Sequence, residues 1–136
     1  MSQPNTIGQI TWHDYTMKDA SALRHFYSKV VGWTTSEIPM KDANGAYADY
    51  CMHAAGEDGK QGEVVAGICH ARGPNTKIPP QWMMYITVAD AEASAKKCVE
   101  LGGKLLDGPR KMGNQTFCFI QDPAGAVCGL VSTKEA

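Results

Sequence analysis

A chain of 136 residues with 43% apolar content and a formal net charge of −1 has the size and balance of one folded domain with its own core. It lacks the basic excess that nucleic-acid binding needs, its apolar runs are too short to span a bilayer, and its N-terminal stretch Met-Ser-Gln-Pro-Asn has a polar character. Neither nucleic acid nor a membrane is therefore expected as a partner, and a cytoplasmic location is. Five cysteines, an odd number with no Cys-x-x-Cys spacing, read as small buried thiols rather than a disulfide framework.

Residues 9–17 read as a first strand. Asp19 then stands where a helix would be capped, and Leu23, Phe26, Tyr27 and Val30 recur at helical spacing as one apolar face. The helix is expected to run to about Val31 and to stop at Gly32. A strand is expected over 33–38, a turn at Pro39 and 42–45, a third strand over 47–53, a polar loop over 56–62 and a fourth strand over 63–70. Residues 72–80 read as a linker that Pro79 and Pro80 keep extended. After it the pattern restarts at Trp82, with a helix over 91–101, a turn at Gly102-Gly103, and strands near 104–106, 116–121 and 126–132. Asp122-Pro-Ala-Gly125 is a turn in which proline presets one dihedral angle and glycine accepts the unusual one.

The two halves echo each other. Asp19-Ala20 and Asp90-Ala91 open the two helices at an offset of 71 residues, and Gly32 and Gly103 close them at the same offset. Val65-Ala-Gly-Ile68 and Val127-Cys-Gly-Leu130 repeat at an offset of 62, as they would if the first copy held about nine extra loop residues. The expectation is an α+β fold in one domain, 1–136, made of two βαβββ modules (about 7–70 and 81–132) joined by a linker, with the helices outside a half-open barrel. A flat ferredoxin-like sandwich has the same element order and remains the alternative.

Asp19, Phe26-Tyr27, Gly32-Trp33 and the late Asp122-Pro-Ala-Gly125, in this order within a repeat, resemble the vicinal oxygen chelate superfamily, the glyoxalase, bleomycin-resistance and extradiol-dioxygenase group. The resemblance covers nearly the whole chain and is nearest to glyoxalase-like proteins of the hydroxylase-like kind. It implies a cavity for a small ligand and pairing as a homodimer. It also implies a divalent metal held by a histidine in the first strand of each module and a glutamate in the last. Here Trp12 and Met83 occupy the histidine positions and Gly67 and Gly129 the glutamate positions, and none can ligate a hard cation through its side chain. No metal and no cofactor are therefore expected. His13 stands beside one slot, but alternation along a strand turns it toward the helix side if Trp12 faces the cavity; a slip of one residue would reverse this. His25 reads as a surface helix residue and His53 and His70 as strand ends.

The same alternation gives the cavity wall. Trp12, Asp14 and Thr16 share a face of the first strand, Tyr47, Asp49, Cys51 and His53 of the third, Val65, Gly67 and Cys69 of the fourth, and Met83, Tyr85 and Thr87 of the strand that opens module two. Tyr15, Met17, Ala48, Tyr50 and Met52 then face the helix. Trp12, Asp14, Asp49, His53, Met83 and Tyr85 are the candidate ligand-binding residues, and a wall of aromatic and thioether groups with few polar ones suits a flat, mostly apolar small molecule. Asp14 is disfavoured on a strand, so it is also a candidate general base, with Tyr85 or His53 as acid or orienting donor. Asp14 and Tyr85 are the candidate catalytic pair; a structural role for each carboxylate is the plainer alternative. No nucleophile elbow and no glycine-rich phosphate loop is present. Two classes stand: a metal-free binding protein, or a glyoxalase-like lyase, isomerase or dioxygenase acting through Asp14 or through metal ligands placed elsewhere.

Overall fold

The computed structural model describes residues 6–133. They form two βαβββ modules: β1 (Ile10–Met17), α1 (Ala20–Val31), β2 (Thr34–Asp42), β3 (Gly45–Ala55) and β4 (Gln61–His70), then β5 (Trp82–Thr87), α2 (Ala91–Glu100), β6 (Lys104–Met112), β7 (Gln115–Gln121) and β8 (Val127–Thr133). The α+β class and the repeated module stand as the sequence implies. Two compact units share the described residues, one of 13–82 and one of 6–12 with 83–133.

In the first unit the strand order is β2-β3-β4-β1, and in the second β5-β8-β7-β6. Each first strand runs parallel to the last strand of its own module, and the remaining neighbours are antiparallel. The registers repeat as well. Asp14 stands opposite Gly67 and Tyr15 opposite Ile68; Tyr85 stands opposite Gly129 and Ile86 opposite Leu130. The offsets of 71 and 62 read from the sequence thus describe equivalent places in the two units.

The helix ends follow from local chemistry. Asp19 accepts the Ala22 N–H at 3.1 Å, and Asp90 accepts those of Glu92 and Ala93 at 3.0 and 3.3 Å, each relieving the unpaired donors of a first turn. Gly32 ends α1 in the left-handed region at φ 87°, open to glycine at little cost. One side of each sheet packs on its helix. In the first unit Ala20, Tyr50, Met52, Ala66 and Ile68 are buried together, with Tyr15, Leu23, Tyr27, Trp33, Ala48 and Trp82 against them. In the second, Ala91, Ala95, Cys118 and Leu130 form the core under α2, flanked by Ile86, Val88, Ile120 and Cys128.

Several boundaries differ from expectation. β2 runs through Pro39 to Asp42, so Pro39 does not end it. It is the outer strand of its sheet, where a missing N–H leaves no ladder bond unmade. β3 continues to Ala55, which places His53 inside a strand rather than at its end. β6 is nine residues long rather than three. The stretch expected to be an extended linker contains a 3₁₀ turn, Gly73–Lys77. Phe26 and Val30 are 53% and 65% exposed, so only the Leu23 and Tyr27 part of the expected apolar face of α1 is covered.

Candidate functional site

The side of each sheet turned away from its helix carries the polar and aromatic groups, as the alternation implies. In the first unit Tyr15, Ala48, Tyr50 and Met52 belong to the helix-side core, which leaves Asp14, Asp49, Cys51 and Cys69 on the other side. His13, expected to turn toward the helix, is exposed and takes no part in that core. Burial pushes the Cys69 thiol well above the ordinary range, and the nearby carboxylates of Asp14 and Asp49 and the Cys51 thiol push it the same way. Shifted in this direction, the Cys69 thiol stays protonated and unreactive. All five cysteines are free, Cys118 fully buried and the others half-buried.

Asp49 is buried and accepts the backbone N–H of His70 at 2.8 Å. The same oxygen lies 3.4 Å from His70 Nδ1, an ion-pair distance without the alignment of a hydrogen bond. The His70 ring stands edge-on to Tyr47 at 5.7 Å. The Arg72 guanidinium stacks over Tyr47 at 3.9 Å from its centroid and meets the Asp42 carboxylate with Nε at 2.8 Å and a terminal nitrogen at 3.0 Å. Burial, with Asp49 and Asp42 next in size, raises the Tyr47 hydroxyl above its usual range. A row Asp42, Arg72, Tyr47, His70, Asp49 therefore forms at one end of the sheet. Sequence reading offered Tyr47 and Asp49 but missed Arg72, assigned to a linker, and His70, assigned to a strand end.

In the second unit Met83, Tyr85 and Thr87 are buried on the side opposite Ile86 and Val88, which pack under α2. Tyr85 meets Phe117 and Phe119 edge-on, with centroids 6.1 and 5.9 Å apart. Neither phenylalanine was named as a candidate, although the period of two along 115–121 puts both on one face. A Cβ built on Gly129 would lie 2.7 and 2.8 Å from two Tyr85 ring carbons and 3.3 Å from Phe119. The Tyr85 ring thus fills the space over Gly129 where a longer side chain would begin. Of the remaining candidates, Trp12 and Asp14 are half-buried, and His53 is held between Ser36 Oγ and the Gly62 carbonyl. Among the described residues, no three histidine, cysteine, aspartate or glutamate side chains come together as a metal centre would need. No helix among them is long and apolar enough to cross a membrane.

Comparison with known proteins agrees with this arrangement. The profile of the Glyoxalase/Bleomycin resistance protein/Dioxygenase superfamily matches residues 6–128. A Mycobacterium tuberculosis protein provisionally named glyoxylase CFP32 is 32% identical over 125 residues, covering 90% of this chain and 45% of its own length. The anthracycline biosynthesis protein DnrV of Streptomyces peucetius is 26% identical over 132 residues, covering 88% of this chain and 45% of its own. The chain thus spans about half the length of the curated relatives it matches. Among solved structures, a variant of the Streptomyces coelicolor methylmalonyl-CoA epimerase, in complex with 2-nitronate-propionyl-CoA, superposes with a TM-score of 0.54 at 16% identity, covering 96% of this chain and all of that one. The epimerase of Mycobacterium tuberculosis gives 0.51 at 14%, covering 99% and 94%. At these identities the likeness speaks to the fold alone.

Proposed function

The chain belongs to the Glyoxalase/Bleomycin resistance protein/Dioxygenase superfamily, and within it we propose that it is a small-molecule-binding member that works without the family's metal and holds an apolar or aromatic ligand. The observation that carries this is Gly129. Where the family resemblance calls for a ligating glutamate, even a methyl group would meet the Tyr85 ring at 2.7 Å. Trp12, Met83 and Gly67 fill the other ligand positions and supply no hard donor. These residues do not fit a divalent cation. Each unit instead offers groups that suit a flat, mostly apolar molecule: Trp12, Met83 and Tyr85 supply apolar wall in one, and Asp14 and Asp49 supply polar handles in the other. The relative named for anthracycline biosynthesis supports the aromatic class.

The test is a thermal-shift and tryptophan-fluorescence titration with a panel of flat aromatic compounds and of aliphatic compounds of like size. Saturable binding of aromatics, weakened at least tenfold by Trp12→Ala, is the expected result. Equal response to both classes, or none, would overturn the reading. A homodimer is part of the proposal, supported by exposed apolar side chains on α1 and on the outer strand β2. Sedimentation at micromolar concentration should give twice the chain mass.

One observation favours a second reading, a metal-free enzyme. Asp14 is a half-buried strand carboxylate at the place equivalent to Tyr85. As a base it would take a proton from carbon or oxygen of the ligand. Asp14→Asn separates the two readings: binding survives it in both, and turnover is lost only in the second.

A further inference from the structure

We propose that Ser36, His53 and the Gly62 carbonyl form a proton relay that makes Ser36 an acyl-accepting nucleophile toward small activated esters. This goes beyond ligand binding and does not depend on it.

His53 Nδ1 lies 2.9 Å from the Gly62 carbonyl oxygen. A carbonyl oxygen only accepts, so Nδ1 must carry the proton. In the neutral ring Nε2 then holds a lone pair, and it lies 2.8 Å from Ser36 Oγ. The serine O–H therefore donates to Nε2. Nucleophile, base and an orienting acceptor on the base's second nitrogen stand in the order that activates a serine, with a backbone carbonyl in the third place. A simple cross-strand serine–histidine contact would leave the tautomer open; here it is fixed.

The chain is built to hold this arrangement. The β3–β4 ladder shifts register on both sides of His53, between Met52 and His53 and again between His53 and Ala55. The bulge leaves His53 on the Cys51 side of the strand, where alternation puts it, and bends the strand locally around it. It also brings the backbones unusually close at Gly62, where a Cβ would lie 2.6 Å from the Ala54 carbonyl oxygen and 3.0 Å from that of Ala55. Glycine is therefore required at 62, and the bulge it permits sets the carbonyl within reach of the imidazole. On β2, Ser36 pairs with Cys51, so it projects on the same side of the sheet as Cys51, away from the α1 core. Gln61 holds the neighbouring β2 backbone through the Thr35 carbonyl at 3.2 Å. Ser36 and His53 are half-buried, neither sealed in the core nor fully exposed.

The chemistry balances with water as the only co-reactant. Ser36 Oγ bonds the ester carbonyl carbon as its proton passes to His53 Nε2, while Nδ1–H stays on the Gly62 carbonyl. The adduct collapses, the carbon–oxygen bond to the leaving alcohol breaks, and Nε2 returns the proton to that oxygen. Water then attacks the acyl-serine, giving its proton to Nε2, and the carboxylic acid leaves as the proton returns to Ser36 Oγ. A carbonyl dipole supports the imidazolium less than a carboxylate would, so reactive esters are the substrate class.

The test uses the intact protein and a fluorophosphonate probe, with the adduct mapped by peptide mass spectrometry. The expected result is one adduct per chain on Ser36, absent in Ser36→Ala and at least tenfold slower to form in His53→Gln, together with p-nitrophenyl acetate hydrolysis that shows the same losses. No adduct on Ser36, or equal labelling in His53→Gln, overturns the proposal. Because a change inside the bulge can unfold the strand, a second measurement keeps His53 in place. In S36C, iodoacetamide should alkylate position 36 at least tenfold faster at pH 7 than it alkylates position 37 in E37C, since only the first thiol has the imidazole as its base. Equal rates also overturn it.

Discussion

Single atoms limit what can stand at position 129. Gly129 and Tyr85 share one space: the ring carbons lie 2.7 and 2.8 Å from where a Cβ would stand. Gly129→Ala should therefore destabilise the fold by about 1–3 kcal/mol through overpacking, read as a lower urea midpoint. Trimming the ring should relieve the strain, so the double variant with Tyr85→Ala should cost less than the two single changes added together. Additive costs would show that the ring does not set the limit. Cys118 gives a pH prediction. Burial first, then the Cys98 and Cys128 thiols, pushes it from 9.0 up to about 11. The unfolded chain gives up this proton first, so the thiol leaves stability flat below pH 9 and lowers it as pH climbs from 9 toward 11. Urea midpoints across that range should fall, and less steeply for Cys118→Ala. At this scale the sequence was partly legible. The face assignments of Asp14, Asp49, Met83 and Tyr85 followed from alternation. The roles of Ser36, Arg72 and His70 did not, because each depends on a partner brought close only by strand pairing: Ser36 on His53, Arg72 on Asp42 and Tyr47, His70 on Asp49.

Among the elements, the helices were the most legible and the outer strands the least, for a physical reason. A helix end is written in a few adjacent residues, such as Asp19 and Gly32, that satisfy or terminate a local ladder. A strand end is set by its neighbour, and nothing adjacent to Pro39 or to 107–112 records that β3 and β7 reach that far. The same reasoning covers His53, whose bulge needs Gly62, nine residues on. The two helix caps permit a graded test. Asp90 accepts two backbone N–H groups and Asp19 one. Asp90→Ala should cost about 1 kcal/mol, and Asp19→Ala less, in chemical denaturation. A larger cost at Asp19 would mean that α1 leans on its cap more than on the Leu23 and Tyr27 contacts beneath it.

Across the whole chain, the repeat is what makes the metal question answerable. The parallel pairings of Asp14 with Gly67 and of Tyr85 with Gly129 put the same two places of each module in correspondence. In the glutamate places the family resemblance calls for carboxylates, and this chain has two glycines, Gly67 and Gly129. The histidine slots hold an indole, Trp12, and a thioether, Met83, the second fully buried. A transition cation is kept by about three or more protein donors, and water in a pocket of this kind cannot replace them selectively. The expectation is that protein purified without chelator holds far less than one divalent ion per chain by elemental analysis. Its melting temperature should not change when EDTA is added, since an ion that bound only the folded state would raise it. One ion per chain, lost together with several degrees of melting temperature in Asp14→Ala, would overturn both the metal-free reading and the placement of the ligand slots. One ion per chain that survives Asp14→Ala would put a centre elsewhere and leave the aromatic-ligand reading to stand or fall on the titrations with Trp12→Ala.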